Sequence, residues 1–325
     1  VNDRYLIIDC NFLCHRAFHA SKELLFDGKD TRIIYGFLKE VLMFQAQFET
    51  EKILFCWDSP TRGIREQIDE NYKKERLRNK ENLTEDEKRR KRILKRQIRL
   101  LKDKILPKLG YRNIYCRDGY EGDDLVASLS QRLSRKRPVV IVSTDSDLYQ
   151  LINHNTSIYL PNKRKMMTVK TFKEIYGISP KDWVLVKAIG GCPSDGVKGV
   201  PGIGEKTAIK FLDGTLNRNS VKYQLIKKFC WDDKSGHWYW DCGKGKFTGM
   251  ENIPDYEGRE AFLKNLELVC LPLKGCSTHK VQKDKTNLTK WKKICRKYGI
   301  NSFQMELKYM EKTFWRKHGR KKEKV

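Results

Sequence analysis

Three short apolar runs stand out in the first half of the chain: Tyr5–Ile8, Ile53–Trp57 and Val139–Ser143. Continuous runs of this length, bounded by polar residues, suit strands buried on both faces of a parallel sheet. Between them apolar residues recur at helical spacing over Ile33–Phe48, Leu94–Leu109 and Leu125–Leu133, and Asn113–Cys116 reads as a further strand. Strands alternating with helices predict an α/β fold with a mainly parallel sheet. Each apolar run leads into an acid: Asp9, Asp58 and, through Thr144, Asp145 and Asp147. Parallel strands end on the same edge, where ligands of open α/β sheets bind. One such Asp is readily a helix N-cap. Three strands ending this way instead place several carboxylates along one rim.

A further acidic group lies at Gly119-Tyr-Glu-Gly-Asp-Asp-Leu125, after the Asn113–Cys116 strand and at the start of the next helix. The helix dipole favours an acid there by ~0.3–1 kcal/mol. That accounts for one or two acids, whereas Glu121, Asp123 and Asp124 are three. Clustered carboxylates repel one another unless cations neutralise them. An all-oxygen ligand set selects hard ions, Mg²⁺ or Mn²⁺, over zinc.

Charge changes the picture. Lys and Arg number 67 against 41 Asp and Glu, so the 325-residue chain carries +26. Such an excess points to a polyanionic partner, nucleic acid or an anionic membrane surface. It is concentrated in two segments: Arg62–Lys104 has 17 basic and 9 acidic residues, and Cys276–Val325 has 16 and 4. In the first, Thr84 and Glu87 form a capping box, and Leu94, Ile98, Leu101 and Ile105 share one helical face. Taken alone, that helix reads as solvated and amphipathic. Arg62–Lys80 lacks such periodicity; Arg65, Tyr72, Lys73, Lys74, Arg76 and Arg78 are cations with an aromatic interleaved, a mixture suited to phosphates and an unpaired base. The C-terminal segment sets Trp291, Tyr298, Phe303, Tyr309, Phe314 and Trp315 among its lysines and is expected to be partly helical and packed, with a frayed tail from Lys317.

No segment reaches the ~20 consecutive apolar residues that span a bilayer, and Val1–Asp9 is short and already reads as a strand, so secretion is not expected. The ten cysteines are scattered without a close CxxC pair. Reduced thiols in a cytoplasmic protein are therefore expected. Cys230, His237 and Cys242 match no standard zinc-finger spacing.

Gly199-Val-Pro-Gly-Ile-Gly-Glu-Lys-Thr-Ala208 superficially resembles a phosphate loop, but Glu205 intervenes between Gly204 and Lys206 and no strand precedes it. A helix–turn–helix hairpin is the better reading, its glycines Gly199, Gly202 and Gly204 allowing positive φ and leaving backbone N–H groups open to a phosphate. Just upstream, Gly190-Gly-Cys-Pro-Ser-Asp195 adds Asp195 to the acids.

Several motifs in this order resemble the flap endonuclease / 5′-3′ exonuclease family, which includes the nuclease domain of bacterial DNA polymerase I and phage 5′-nucleases of ribonuclease H type. They are Ile-Ile-Asp9 with His15-Arg16-Ala-Phe18, Cys-Trp-Asp58, Tyr72-Lys-Lys-Glu-Arg76, Tyr-Glu121-Gly-Asp-Asp124, Ser-Thr-Asp145-Ser-Asp147-Leu, Ser-Asp195 with the glycine-rich segment, and Phe262–Val269. The resemblance spans about Tyr5 to Pro272 and implies a PIN-like, mainly parallel central sheet flanked by helices, with a helical arch and a helix-turn-helix element. The organisation expected is a nuclease core over 1–180 with the arch at 62–104, a duplex-binding region over 181–275 and a basic extension over 276–325.

The same resemblance assigns roles. Asp9, Asp58, Glu121, Asp123 and Asp124 would form one metal site, and Asp145, Asp147 and Asp195 a second, holding two Mg²⁺ or Mn²⁺ ions. Lys73 and Arg76 match arch cations that contact the scissile phosphate. Arg16, Arg65, Tyr72, Lys74 and Lys206 are further DNA-contact candidates, and the Gly199–Lys206 turn would grip duplex backbone with a K⁺ ion. The implied activity is hydrolysis of DNA with 5′ ends or flaps, or of RNA in RNA–DNA hybrids. It would serve replication or repair, by a monomer working beside replication proteins in the cytoplasm, the host's if the source is a phage. One departure is plain: where the family has Gly-Asp-x-x-Asp, this chain has Gly191-Cys-Pro-Ser-Asp195, and a thiol is a poor Mg²⁺ ligand. That substitution keeps a non-catalytic branched-DNA-binding protein as the alternative. A haloacid-dehalogenase-like phosphotransferase is set aside, because its Asp-x-Asp is here Asp9-Cys-Asn11.

Overall fold

The computed structural model describes residues 3–20, 23–75, 83–230, 240–241, 246–247 and 257–315. The predicted strands form as β1 (Tyr5–Asp9), β4 (Ile53–Cys56), β5 (Ile114–Tyr115) and β6 (Val139–Val142). They are joined by β7 (Thr156–Leu160) and β8 (Lys165–Met167), while β2 (Leu25–Phe26) and β3 (Lys29–Asp30) make a separate hairpin. The six-stranded sheet has the order β5–β4–β1–β6–β7–β8, and only β8 runs antiparallel to its neighbour. Asp9 is level with Cys56, and Ile8 with Val142, so β1, β4 and β6 end together and present their following acids on one edge.

Residue alternation divides the core into two layers, as the pleat requires. Leu6, Ile8, Ile53, Phe55, Trp57, Val140 and Val142 face one layer, built on helices Cys10–Ala20 and Arg32–Gln47. Ile7, Leu54, Cys56 and Ile141 face the other, built on helices Gly122–Leu133, Trp183–Gly190, Glu205–Leu212 and Glu257–Val269. The C-terminal segment joins the first layer: Trp291 on helix Leu288–Lys297, Phe303 at the cap of helix Gln304–Met310 and Phe314 in the turn that follows are buried there. The C-terminal segment thus completes one layer of the α/β core. The tail expected to fray from Lys317 lies outside the described residues.

The basic helix Glu85–Leu100 opens on the Thr84–Glu87 capping box. It continues through a π-helical turn, Leu101–Ile105, and stops after Leu109 at Gly110, which takes φ +96°. Its apolar stripe is buried at Leu94, Leu101 and Ile105. Gln97, also buried, accepts the Ile34 N–H at 3.1 Å and so satisfies one free donor at the start of helix Arg32–Gln47. Among the described residues, no helix is long and apolar enough to cross a membrane.

Candidate active site

The acids at the strand ends are held in place one by one. Asp9 closes β1; its Oδ1 accepts the Phe12 N–H at 3.0 Å and its Oδ2 the Ser143 hydroxyl at 2.8 Å. Asp58 accepts the Gly122 N–H at 2.8 Å and the Asn11 side-chain amide, which ties the end of β4 to the start of helix Gly122–Leu133. Asp145 caps the turn Ser146–Leu151 by accepting the Asp147 N–H at 2.9 Å. Asp123 projects from the first turn of helix Gly122–Leu133 into the middle of the group. Burial, then Asp9, Asp145, Asp58 and Glu121, push its carboxyl well above the usual range. Burial, with smaller contributions from Asp58 and Asp145, pushes Asp9 up to about 7. These acids crowd one volume, and a cation would relieve their repulsion.

The raised groups make a pH prediction for metal-free protein. Between the unfolded carboxylate value and about 7 the folded state holds the Asp9 proton and the unfolded state has released it. Stability from this group therefore falls as pH rises through that window. Thermal melts of metal-free protein are expected to drop from pH 5 to pH 8 less steeply in Asp9→Asn than in wild type. Equal slopes would count against the crowding.

A second group lies beside the first. Ligand atoms of Asp147, Cys192 and Asp195 fall within 4.8 Å of one another. The Cys192 sulfur is 3.6 Å from Asp147 Oδ2, and burial together with Asp147 and Asp195 pushes the thiol up to about 12. Lys187 fills the other side: its ammonium is 3.0 Å from Asp147 Oδ1, 3.2 Å from Glu205 and 2.9 Å from the Ser146 hydroxyl. Sequence reading missed Lys187. The available signal was a lone charge within the apolar helix Trp-Val-Leu-Val-Lys-Ala-Ile-Gly. Glu205, the residue that breaks the phosphate-loop pattern, is its partner. Ser143 and Asn11 were missed as well, because only the fold brings them to Asp9 and Asp58.

Three assignments around the acids change. Asp124 is fully buried. Both its oxygens are taken by the Arg65 guanidinium at 2.6 and 2.8 Å and by the backbone N–H groups of Glu121 and Leu273. Arg65, placed earlier among DNA contacts, is 3% exposed and also donates to the Leu268 carbonyl at 2.7 Å. The pair therefore serves the interior, and Arg65 Nη1 also stands 3.8 Å from Glu121 Oε2. Tyr72, expected to meet a base, is also buried; its hydroxyl donates to Glu121 at 3.1 Å and lies 3.5 Å from Asp195.

Lys73 does reach the rim. Its ammonium pairs with Glu121, and its N–H donates to the Asp195 carbonyl at 2.7 Å. Its φ of +54° is unusual for a lysine and holds this turn across Gly196. Lys74 is exposed, and Arg16 is held by Glu40 and Asn162 at 2.8 and 2.6 Å. Arg76 lies outside the described residues, as do the side chains of Cys230, His237 and Cys242.

In the glycine-rich turn the glycines differ in purpose. Gly202 takes φ +74°, and a Cβ on Gly202 or Gly204 would meet open space. Lys206 is exposed beside them. Gly199 instead packs against backbone: a Cβ there would lie 2.4 Å from Gly190 C, Gly191 N and Ile189 O. Its place in a phosphate cradle is withdrawn in favour of close chain crossing. Gly199→Ala is expected to cost ~3 kcal/mol or more, since backbone must shift, against ~1–2 kcal/mol for Gly202→Ala at its positive φ. Chemical denaturation of both variants checks the ranking.

Comparison with known proteins bears on this arrangement. Residues 4–177 match the sequence model of the 5'-3' exonuclease, N-terminal resolvase-like domain. The chain belongs to the 5′-3′ exonuclease family. It is 31% identical over 238 residues to the 5'-3' exonuclease of Bacillus subtilis, covering 70% of this chain and 76% of that one. It is 30% identical over 280 residues to the thermostable DNA polymerase I of Thermus thermophilus, covering 81% of this chain but only 32% of the polymerase. The chain thus spans about a third of that relative's length. Its fold is that of the bacteriophage T5 flap endonuclease, solved in a pseudo-enzyme–product complex with DNA and metal ions. That likeness has a TM-score of 0.64 at 18% identity and covers 83% of this chain and 89% of that one. The mainly parallel, PIN-like architecture expected from the resemblance is the one found.

Proposed function

We propose that this protein is a divalent-metal-dependent 5′-nuclease, hydrolysing phosphodiesters in DNA with free 5′ ends or flaps, with RNA in RNA–DNA hybrids as a second substrate. The observation that carries the proposal is the gathering of Asp9, Asp58, Glu121, Asp123, Asp145, Asp147 and Asp195 at one sheet edge, beside Lys73, in a chain of net charge +26. A positive protein with a negative cleft can hold a polyanion and still concentrate cations at one point. The oxygen donors of Asp9, Asp58, Glu121 and Asp123 fit one Mg²⁺ or Mn²⁺ ion, and Asp145, Asp147 and Asp195 would hold a second divalent ion beside the Cys192 thiol. Bound there, such ions supply Lewis-acid charge to the phosphate and lower the pKa of water.

The chain's own residues do the rest. Ser143, Asn11 and the Gly122 N–H orient the acids. Lys73 brings an ammonium to the rim, where charge develops on the phosphate. Lys74, Lys206 and the open N–H groups near Gly202 and Gly204 take backbone phosphates, with a K⁺ ion at that turn. Action as a monomer in the cytoplasm, beside replication proteins, completes the reading.

The test is a 5′-labelled flap, with matched nicked and RNA–DNA substrates, under Mg²⁺ or Mn²⁺ and with Asp145→Ala as the blank. Metal-dependent cleavage that the blank lacks is expected; no cleavage with either ion sinks the proposal. Cys192 favours one competing reading, a branched-DNA-binding protein without activity. It predicts salt-sensitive binding of the flap, no product, and cleavage gained by Cys192→Asp.

A further inference from the structure

Resting on that nuclease reading, we propose that the second metal position is a mixed oxygen–sulfur site. Cys192 Sγ would ligate the ion together with Asp147 and Asp195, and the site would take a thiophilic divalent ion, of the Zn²⁺ or Co²⁺ kind, in preference to Mg²⁺.

The donor set is the first argument. A hard ion wants oxygen donors and keeps several waters. Here one of the three converging ligand atoms is sulfur. Thiolate is the ligand that separates Zn²⁺ from Mg²⁺.

Geometry is the second argument. With metal–sulfur ≈ 2.3 Å and metal–oxygen ≈ 2.0–2.2 Å, donors on a tetrahedral ion stand ~3.5–3.7 Å apart. The Cys192 sulfur is already 3.6 Å from Asp147 Oδ2. Lys187 sets that orientation, because its ammonium takes Asp147 Oδ1 and leaves Oδ2 turned toward the sulfur. The Tyr72 hydroxyl stands 3.5 Å from the Asp195 carboxylate.

Charge is the third. On binding, the thiol loses its proton to solvent and the sulfur–metal bond forms. The new thiolate then adds one negative charge opposite the divalent ion, while the Lys187 ammonium is already paired with Asp147 and Glu205. Cys192 is itself buried, and its backbone exchanges hydrogen bonds with Val197, so the main chain that carries the sulfur is held in place. Among the described residues, Asp147, Cys192 and Asp195 are the group so assembled around a thiol.

Co²⁺ titration of the whole protein reads this directly, since a thiolate ligand gives a near-ultraviolet charge-transfer band that oxygen ligands do not. Wild type is expected to show the band. Near-isosteric Cys192→Ser should lack it and bind Zn²⁺ at least ~10-fold more weakly, given that even an outer-shell partner is worth 10–100-fold. Cys192→Asp should lack the band and gain affinity for Mg²⁺. Thermal melts of both variants confirm folding. Identical Co²⁺ spectra for wild type and Cys192→Ser would overturn the inference. If Mn²⁺-dependent flap cleavage persists alongside identical spectra, only this inference falls. If no divalent ion binds and nothing is cut, the nuclease reading falls with it.

Discussion

Asp124→Asn is expected to destabilise the fold by ~3–5 kcal/mol, the cost of breaking a buried ion pair from one side. Arg65 would be left as a buried guanidinium whose main partner has lost its charge, and the new side-chain amide would have to face donors. The pair also joins distant segments. Arg65 begins the turn Arg65–Ile68, Asp124 lies in the first turn of helix Gly122–Leu133, and both bond to the chain between Leu268 and Leu273. Breaking it loosens the ground on which Tyr72 and Lys73 stand. Urea unfolding measures the loss. The double variant Arg65→Met with Asp124→Leu should recover much of it, because well-packed apolar pairs often replace buried ion pairs at little cost. An unchanged midpoint with weakened metal binding would return Asp124 to the metal ligands.

Asp123→Asn is expected to do the opposite to stability and far more to activity. Asp123 is surrounded by Asp9, Asp145, Asp58 and Glu121, and its carboxyl is driven well up by burial and by them. Asn escapes the penalty of holding either a charge or a proton in that group, so the metal-free Asp123→Asn variant should melt higher than wild type near neutral pH. The same change removes a central oxygen ligand. Losing several kcal/mol of charge stabilisation at the phosphate corresponds to ~10³-fold in rate, at 1.36 kcal/mol per decade. Flap cleavage and melting temperature, measured on one preparation, check both halves. A variant that loses activity and stability together would mean that Asp123 holds up the fold. A stable site with poor function fits the rule that catalytic groups are kept at a cost to the fold.

Individual residues show how far the sequence could be read. β1, β4 and β6 were legible because apolar runs buried on both faces need no partner to be recognised. Asp9, Asp58, Asp145 and Asp147 were legible for a related reason, since each is within a few residues of a strand end and the edge follows from parallel order. Thr84 and Glu87 were legible because a capping box is local. Arg65, Tyr72 and Asp124 were misassigned. Their motifs place them near the site, but which way each side chain turns depends on chain that arrives later. Arg65 is claimed by the Leu268 carbonyl and Asp124 by the Leu273 N–H, contacts that no local pattern encodes. Gly199 was misread similarly: what makes it glycine is the backbone of Ile189–Gly191 passing at 2.4 Å.

The sequence by itself determined the alternation of strand and helix, the rim on which acids would gather and the two segments holding most of the positive charge. Periodicity, capping and charge are properties of neighbouring residues, and these features need nothing more. Only the tertiary structure decided which acids face one another and which one is spent on an interior arginine. It alone brought Lys187 to Asp147 and turned the sulfur of Cys192 into the second group. Those choices depend on side-chain direction and on contacts between residues far apart in the chain. Distance and burial set them, and a linear pattern carries neither.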